Sequence, residues 1–270
     1  MKDANFEALM ESVKRENDNQ YQSIITGNWL QGRTAFGGVS SALAAKALRF
    51  NVDDNRPMRG MTVAFIGPAT AGTASIKTDI LRSGKSATWA SADLFSEQNL
   101  ATRLQVVYGP SRSSSLDLRG TPLGPMPAPE DCKPFGYIEN VTPKLLSNFD
   151  TRWAIGDMPF SNSDKTEIGA WVRFKNDAPM SEYRLIAFMD LLPPAVLPML
   201  SQPAPISSLT WHVEVLEDFA QYCGQENHDW WFKSMQSAAI GGGFTQQHAT
   251  LYAPDGVAVA YSQQVVATFE

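Results

Sequence analysis

The chain has only two cysteines, Cys132 and Cys223, among 270 residues. They lie far apart, and the first twenty residues, with Lys2, Glu7, Glu11, Lys14, Arg15 and Glu16, are too charged for a secretory signal, so the pair reads as free thiols. No apolar run approaches the ~18 residues of a membrane span, and the chain is expected to be cytoplasmic. Positive charge is also in short supply: 22 Lys and Arg stand against 28 Asp and Glu, for a formal net charge of −6. That balance excludes nucleic acid or an anionic membrane as the main partner, because both need a summed positive field. A phosphate-bearing ligand would have to meet a local basic cluster. His212, His228 and His248 lack metal-ligand spacing, and neither Cys-x-x-Cys nor His-Glu-x-x-His occurs, so no metal is expected. The G-x-S-x-G nucleophile elbow and the Walker A loop are missing too, and Gly241-Gly242-Gly243 reads as a bend between strands.

What is present is the composition of a folded protein, 43% hydrophobic, 10% aromatic and 19% charged, in a chain long enough for one large domain or two modest ones. Six of the 17 prolines fall in residues 109–136, which carry little periodic apolar pattern and read as a linker. The expected organisation is therefore an N-terminal unit at 1–109, a Pro/Gly/Ser-rich linker at 110–136 and a C-terminal unit at 137–270.

The two units follow one order. In the first, Ala35-Phe36-Gly37-Gly38 opens residues 39–50, apolar nearly all round apart from Ser40, Ser41, Lys46 and Arg49, which predicts a buried central helix. Strand-like stretches follow at 62–66, 74–81, 87–95 and 101–108, with a turn at Ser83-Gly84-Lys85. In the second, a helical signal over 183–200 precedes strand candidates at 211–216, 229–237, 244–252 and 257–269, the last two joined by an Asp255-Gly256 turn. Three anchors register the halves: Ala35-Phe36-Gly37-Gly38 on Ala187-Phe188-Met189-Asp190, Met61-Thr62 on Leu209-Thr210, and Gln105-Val106-Val107 on Gln264-Val265-Val266. Near-constant offsets are what a tandem duplication leaves. A helix followed by antiparallel strands buries its apolar surface when the sheet wraps around it, so an α+β architecture with one continuous sheet is expected.

Several motifs then coincide with a known family. Phe36-Gly37-Gly38, Phe65-Ile66-Gly67-Pro68-Ala69 and Leu81-Arg82-Ser83-Gly84-Lys85-Ser86 in the first half, and Trp171-Val172-Arg173, the Asp190 helix, Ser208-Leu209 and Asp255-Gly256…Gln264 in the second, fall in the order of the acyl-CoA thioesterase II family. The chain resembles that family from about Gly27 onward, outside the linker. The resemblance implies a double hotdog, two tandem repeats each with an antiparallel sheet wrapped around a long central helix. It also implies a hydrolytic trio of Asp190, Ser208 and Gln264. This chain continues with Thr210-Trp211-His212 where well-known members have Asp-His-Ser, so Ser207 and Thr210 stay open as alternatives to Ser208.

The chemistry implied is hydrolysis of an acyl-CoA thioester by water, with Asp190 as base and the Ser208 hydroxyl and Gln264 amide holding the water; no cofactor and no covalent nucleophile are required. The plain alternative for Asp190 is a capping carboxylate beside Pro193-Pro194, but the repeat sets it against Gly38, so only one half carries the acid. Gly37 and Gly38 could offer N–H groups to an oxyanion or phosphate, Arg82 and Lys85 could meet CoA phosphates, and Thr210 is a further substrate-binding candidate. The expected partner is the acyl-CoA substrate, with a homodimer through the sheets left open. A non-catalytic acyl-CoA-binding module is the rival reading. An enoyl-thioester hydratase is disfavoured, since no Asp-x-Asn-Pro-x-x-x-His run occurs.

Overall fold

The computed structural model describes residues 2–53, 55–226 and 228–269. In chain order the elements are α1 (Phe6–Glu11), β1 (Lys14–Asn17), β2 (Gln20–Ile25), β3 (Leu30–Gln31), β4 (Thr34–Ala35), α2 (Gly37–Arg49), β5 (Met58–Phe65), β6 (Gly72–Ser83), β7 (Thr88–Ser96) and β8 (Asn99–Tyr108). After a long irregular stretch come β9 (Lys133–Pro134), β10 (Phe149–Ile155), β11 (Glu167–Phe174), α3 (Glu182–Asp190), β12 (Ile206–Val215), β13 (Trp231–Gly241), β14 (Phe244–Tyr252) and β15 (Ala258–Thr268). Apart from the small β3–β4 ladder, the strands form one 13-stranded sheet in the order β1-β2-β6-β7-β8-β5-β12-β15-β14-β13-β11-β10-β9. All its ladders are antiparallel.

The strands follow from period-2 patterning. Along β7, Thr88, Ala90, Ala92, Leu94 and Ser96 are buried while the residues between them are exposed or half-buried. Tight turns sit where glycine permits a positive φ: Gly242 at 60° and Gly243 at 79° between β13 and β14, and Gly256 at 84° between β14 and β15. The seam between the two halves is the β5–β12 ladder, with Thr62 opposite His212 and Val63 opposite Trp211.

Helix α2 is buried on almost every side. Ala42, Ala44, Ala45 and Ala47 let neighbouring elements approach closely, while Leu43 and Leu48 fill the space between, each contributing roughly 1.5–3 kcal/mol by burial. Helix α3 packs against it in the opposite direction: Gly38 at the start of α2 meets Ala187 and Asp190 near the end of α3, and Arg49 at the end of α2 grips Glu182 at the start of α3.

The structure corrects the helical reading of 183–200. Helix α3 spans only Glu182–Asp190, Leu191 is already extended (φ −65°, ψ 150°), and Leu192 takes a φ of 87° before Pro193-Pro194. A residue preceding proline is driven out of the helical region, and two prolines in a row remove two helix donors. The second half therefore has no long central helix matching α2.

Candidate active site

Asp190 is the last residue of α3, aimed at the first turn of α2. Its Oδ2 accepts the Gly38 N–H at 2.7 Å, and its Oδ1 lies 3.4 Å from the Gln264 amide nitrogen on β15. The same amide nitrogen donates to the Ser208 hydroxyl at 2.8 Å. Gln264 is itself oriented: its Oε1 accepts from Gln247 Nε2 on β14 at 2.6 Å, and Gln247 Oε1 accepts the Ala195 backbone N–H at 3.1 Å. This chain fixes which end of the Gln264 amide faces Ser208 and Asp190. Because the Ser208 oxygen accepts from Gln264, the serine keeps its own hydrogen to donate.

A bulge explains why Ser208 meets Gln264, while Ser207 lines the cleft beside it. On β12, Trp211 and Val213 point into the core, so regular alternation would send Ser208 outward with Thr210 and His212. The register instead breaks between Ser208 and Thr210, and the extra residue, Leu209, turns Ser208 back toward Gln264. Thr210 is exposed and stays outside the cleft, and the Ser207 hydroxyl bonds the Ser208 carbonyl at 3.4 Å.

These groups wall a cleft of about 480 Å³ between the two halves, lined also by Gly37, Phe65, Leu192 and Arg33. Its inner side is polar: Thr102 donates to the Ser40 hydroxyl, and Ser40 to the Gly37 carbonyl, each at 3.1 Å. Burial pushes the Asp190 carboxyl above the usual range, while Lys233, the Gly38 N–H and the Gln264 amide pull it part of the way back. Lys233 on β13, 1% exposed, is pushed down to about 7 by burial, against the attraction of Asp190.

The other candidates fall as follows. The Gly38 N–H is engaged by Asp190, so it is not a free oxyanion or phosphate donor, though Gly37 lines the cleft. Arg82 and Lys85 sit at the β6–β7 hairpin and do not line the cleft; the arginine that does is Arg33, in the turn between β3 and β4. Gln247, Lys233 and Arg33 were not singled out by sequence. Lys233 left one signal, a cation at a position flanked two residues either way by Trp231 and Met235 on the buried face of a strand. Among the described residues no cluster of His, Cys, Asp and Glu could hold a metal, and no helix is long and apolar enough to cross a membrane.

Sequence comparison then decides the family. Residues 25–109 match the sequence model of the acyl-CoA thioesterase N-terminal domain, and residues 129–268 that of the acyl-CoA thioesterase C-terminal domain. The chain belongs to the acyl-CoA thioesterase family. It is a thioester hydrolase. No curated protein matches it in sequence. Its fold is that of a hot dog protein from Alicyclobacillus acidocaldarius, with a TM-score of 0.87 at 19% identity over 97% of both chains. An acyl-CoA thioesterase II from Mycobacterium marinum superposes with a TM-score of 0.77 at 15% identity over 96% of both chains. In this thioesterase the two family domains meet at the β5–β12 seam, and the cleft draws residues from both.

Proposed function

We propose that this thioesterase hydrolyses an acyl-CoA thioester with a water held by Ser208 and Gln264 and deprotonated by Asp190. The observation that carries the reading is the convergence of Asp190, Ser208 and Gln264, drawn from three separate elements, on one wall of the cleft. Water attacks the thioester carbonyl carbon as its proton passes to Asp190. The tetrahedral intermediate then expels the CoA thiolate, which takes the proton back, leaving a free carboxylic acid and CoA. Burial suits Asp190 to this role, since a carboxyl raised from its ordinary range is a better base, and Lys233, the Gly38 N–H and the Gln264 amide offset part of the rise.

We further read the chain as two tandem hotdog repeats, at 1–109 and 137–270, joined by the segment at 110–136. The strand orders support this: outward from the seam, β5, β8, β7, β6 and β2 on one side answer β12, β15, β14, β13 and β11 on the other. The test of the function is thiol release from short, medium, long and aromatic acyl-CoA substrates by the parent and by Asp190→Asn. Turnover that falls at least about a hundredfold in the variant supports Asp190 as base. A folded Asp190→Asn protein with parental turnover removes Asp190 from the mechanism.

A further inference from the structure

β13 places Trp231, Lys233 and Met235 on its buried face, a row in which two hydrophobic residues flank a lysine. Lysine is almost never fully buried without a partner, because stripping the ammonium of water costs several kcal/mol. What holds this one is backbone: Nζ donates to the Met189 carbonyl at 2.6 Å and to the Leu191 carbonyl at 2.5 Å. Those two carbonyls flank Asp190. They also fall where α3 ends, among the acceptors that a helix C-terminus leaves without intrahelical donors and where a positive charge is favoured. The next residue, Leu192, adopts φ 87°, a conformation that a branched side chain seldom takes, and the following Pro193-Pro194 supply no N–H.

We infer that Lys233 is a positioning residue for the hydrolytic site: by clamping the carbonyls on either side of Asp190 it fixes the strained end of α3 and supplies the charge that keeps the carboxylate ionised. This rests on the reading of Asp190 as base. A neutral donor would satisfy the two carbonyls at lower cost, so the choice of a buried cation points to its charge. The charged groups here are Lys233 from β13 and Asp190 from α3, with Arg33 at the rim of the cleft on the β3–β4 hairpin. The other elements around Asp190 present groups that do not titrate near neutrality: Ser208 from β12, Gln247 from β14, Gln264 from β15 and the Gly37-Gly38 backbone of α2.

The experiment compares the parent with Lys233→Met, which removes donor and charge, and Lys233→Gln, which removes the charge and keeps an N–H donor on a side chain one atom shorter. Per folded molecule, Lys233→Met is expected to lose about 10- to 100-fold in kcat with KM changed less than about threefold, and Lys233→Gln to lose less. In both, the acid limb of the kcat profile moves up by about one pH unit, because an opposite charge nearby favours the ionised acid. Parental kcat per folded molecule and an unmoved acid limb in Lys233→Met overturn the proposal, even if its melting temperature falls. A readout independent of turnover is the 13Cγ resonance of Asp190, assigned by its loss in Asp190→Asn. Its titration midpoint should rise in Lys233→Gln. In the unmutated chain it should carry a second inflection near pH 7 as Lys233 loses its proton. An Asp190 midpoint unmoved in folded Lys233→Gln and Lys233→Met overturns the coupling whether or not the parent hydrolyses any thioester.

Discussion

Gly37→Ala isolates the placement of Asp190, the proposed base, without changing any polar group of the site. An ideal Cβ built on Gly37 falls 2.7 Å from Asp190 Oδ2, 2.9 Å from Phe65 Cζ and 3.0 Å from Phe65 Cε1. Ordinary contact begins near 3.4 Å, so the carboxylate must retreat by about 0.7 Å unless the helix shifts. That retreat stretches the 2.7 Å bond from Gly38 to Asp190 to the edge of hydrogen-bonding range. It also breaks the alignment with Gln264, where a misplacement approaching 1 Å costs on the order of 100-fold in rate. The expected loss in kcat is therefore about 10- to 100-fold.

The cost in stability is comparable in free energy, but it falls on a folded state with more than that to spare. Losing a charge-assisted hydrogen bond costs about 1.5–3 kcal/mol, while replacing glycine by alanine in the first turn of a helix returns about 0.5–1 kcal/mol. A net destabilisation of about 1–2 kcal/mol leaves the protein folded. Gly38→Ala is the contrasting case: its Cβ meets the Phe36 ring at 2.7 and 2.8 Å and the Ala187 Cα at 3.1 Å, so it forces the two helices apart and should cost stability first. The assay is thiol release beside thermal melting for both variants. A folded Gly37→Ala with kcat within twofold of the parent would show that the position of the Asp190 carboxylate does not govern the rate.

Two further outcomes follow from charges outside the trio. Arg33→Ala is expected to raise KM for acyl-CoA several-fold at low salt, with the difference shrinking as salt screens it, while Arg82→Ala and Lys85→Ala leave KM unchanged; KM at low and high ionic strength reads this. Glu7→Gln should lower stability by about 2–3 kcal/mol in urea unfolding. Arg184 is 1% exposed and keeps bonds to the Ala178 and Asn176 carbonyls, but it would lose the only carboxylate on its guanidinium among the described residues; Glu7 is itself a third exposed, which limits the cost.

Much of the C-terminal half was legible because its hairpins obey simple rules. Residues 244–252 form the expected strand, and the Asp255-Gly256 turn sits where glycine takes a positive φ. The N-terminus hid its structure behind charge: α1 buries only Phe6, Leu9 and Met10 among acidic and polar neighbours, and β2 places Ser23 between Tyr21 and Ile25 on its buried face, which weakens the apolar alternation. The helical pattern over 183–200 overruns the end of α3 because the apolar run continues to Leu200 past the Pro193-Pro194 stop. The grouping of Asp190, Ser208 and Gln264 came from resemblance. Periodicity alone would have faced Ser208 to solvent, and only the bulge at Leu209 turns it inward.

The fold brings a carboxylate to both ends of the α2–α3 pair, and the placement of the countercharge separates their roles. At one end Glu182 receives Arg49 on both oxygens, Nε to Oε1 at 2.9 Å and Nη2 to Oε2 at 2.5 Å. A carboxylate held in that bidentate way has its lone pairs committed and its charge neutralised at contact, so it serves as a tie between helices. At the other end the cation never touches the acid: Lys233 spends its hydrogen bonds on the carbonyls before and after Asp190. Oδ2 is anchored by Gly38, and Oδ1 is left with a single long contact to Gln264 at the cleft wall. A base needs a carboxylate oxygen that remains open to a proton, and of these two carboxylates only Asp190 leaves one at the cleft wall. In the proposed mechanism a cation gripping Asp190 as Arg49 grips Glu182 would occupy the oxygen that takes the proton from water, and Lys233 supplies charge without doing so.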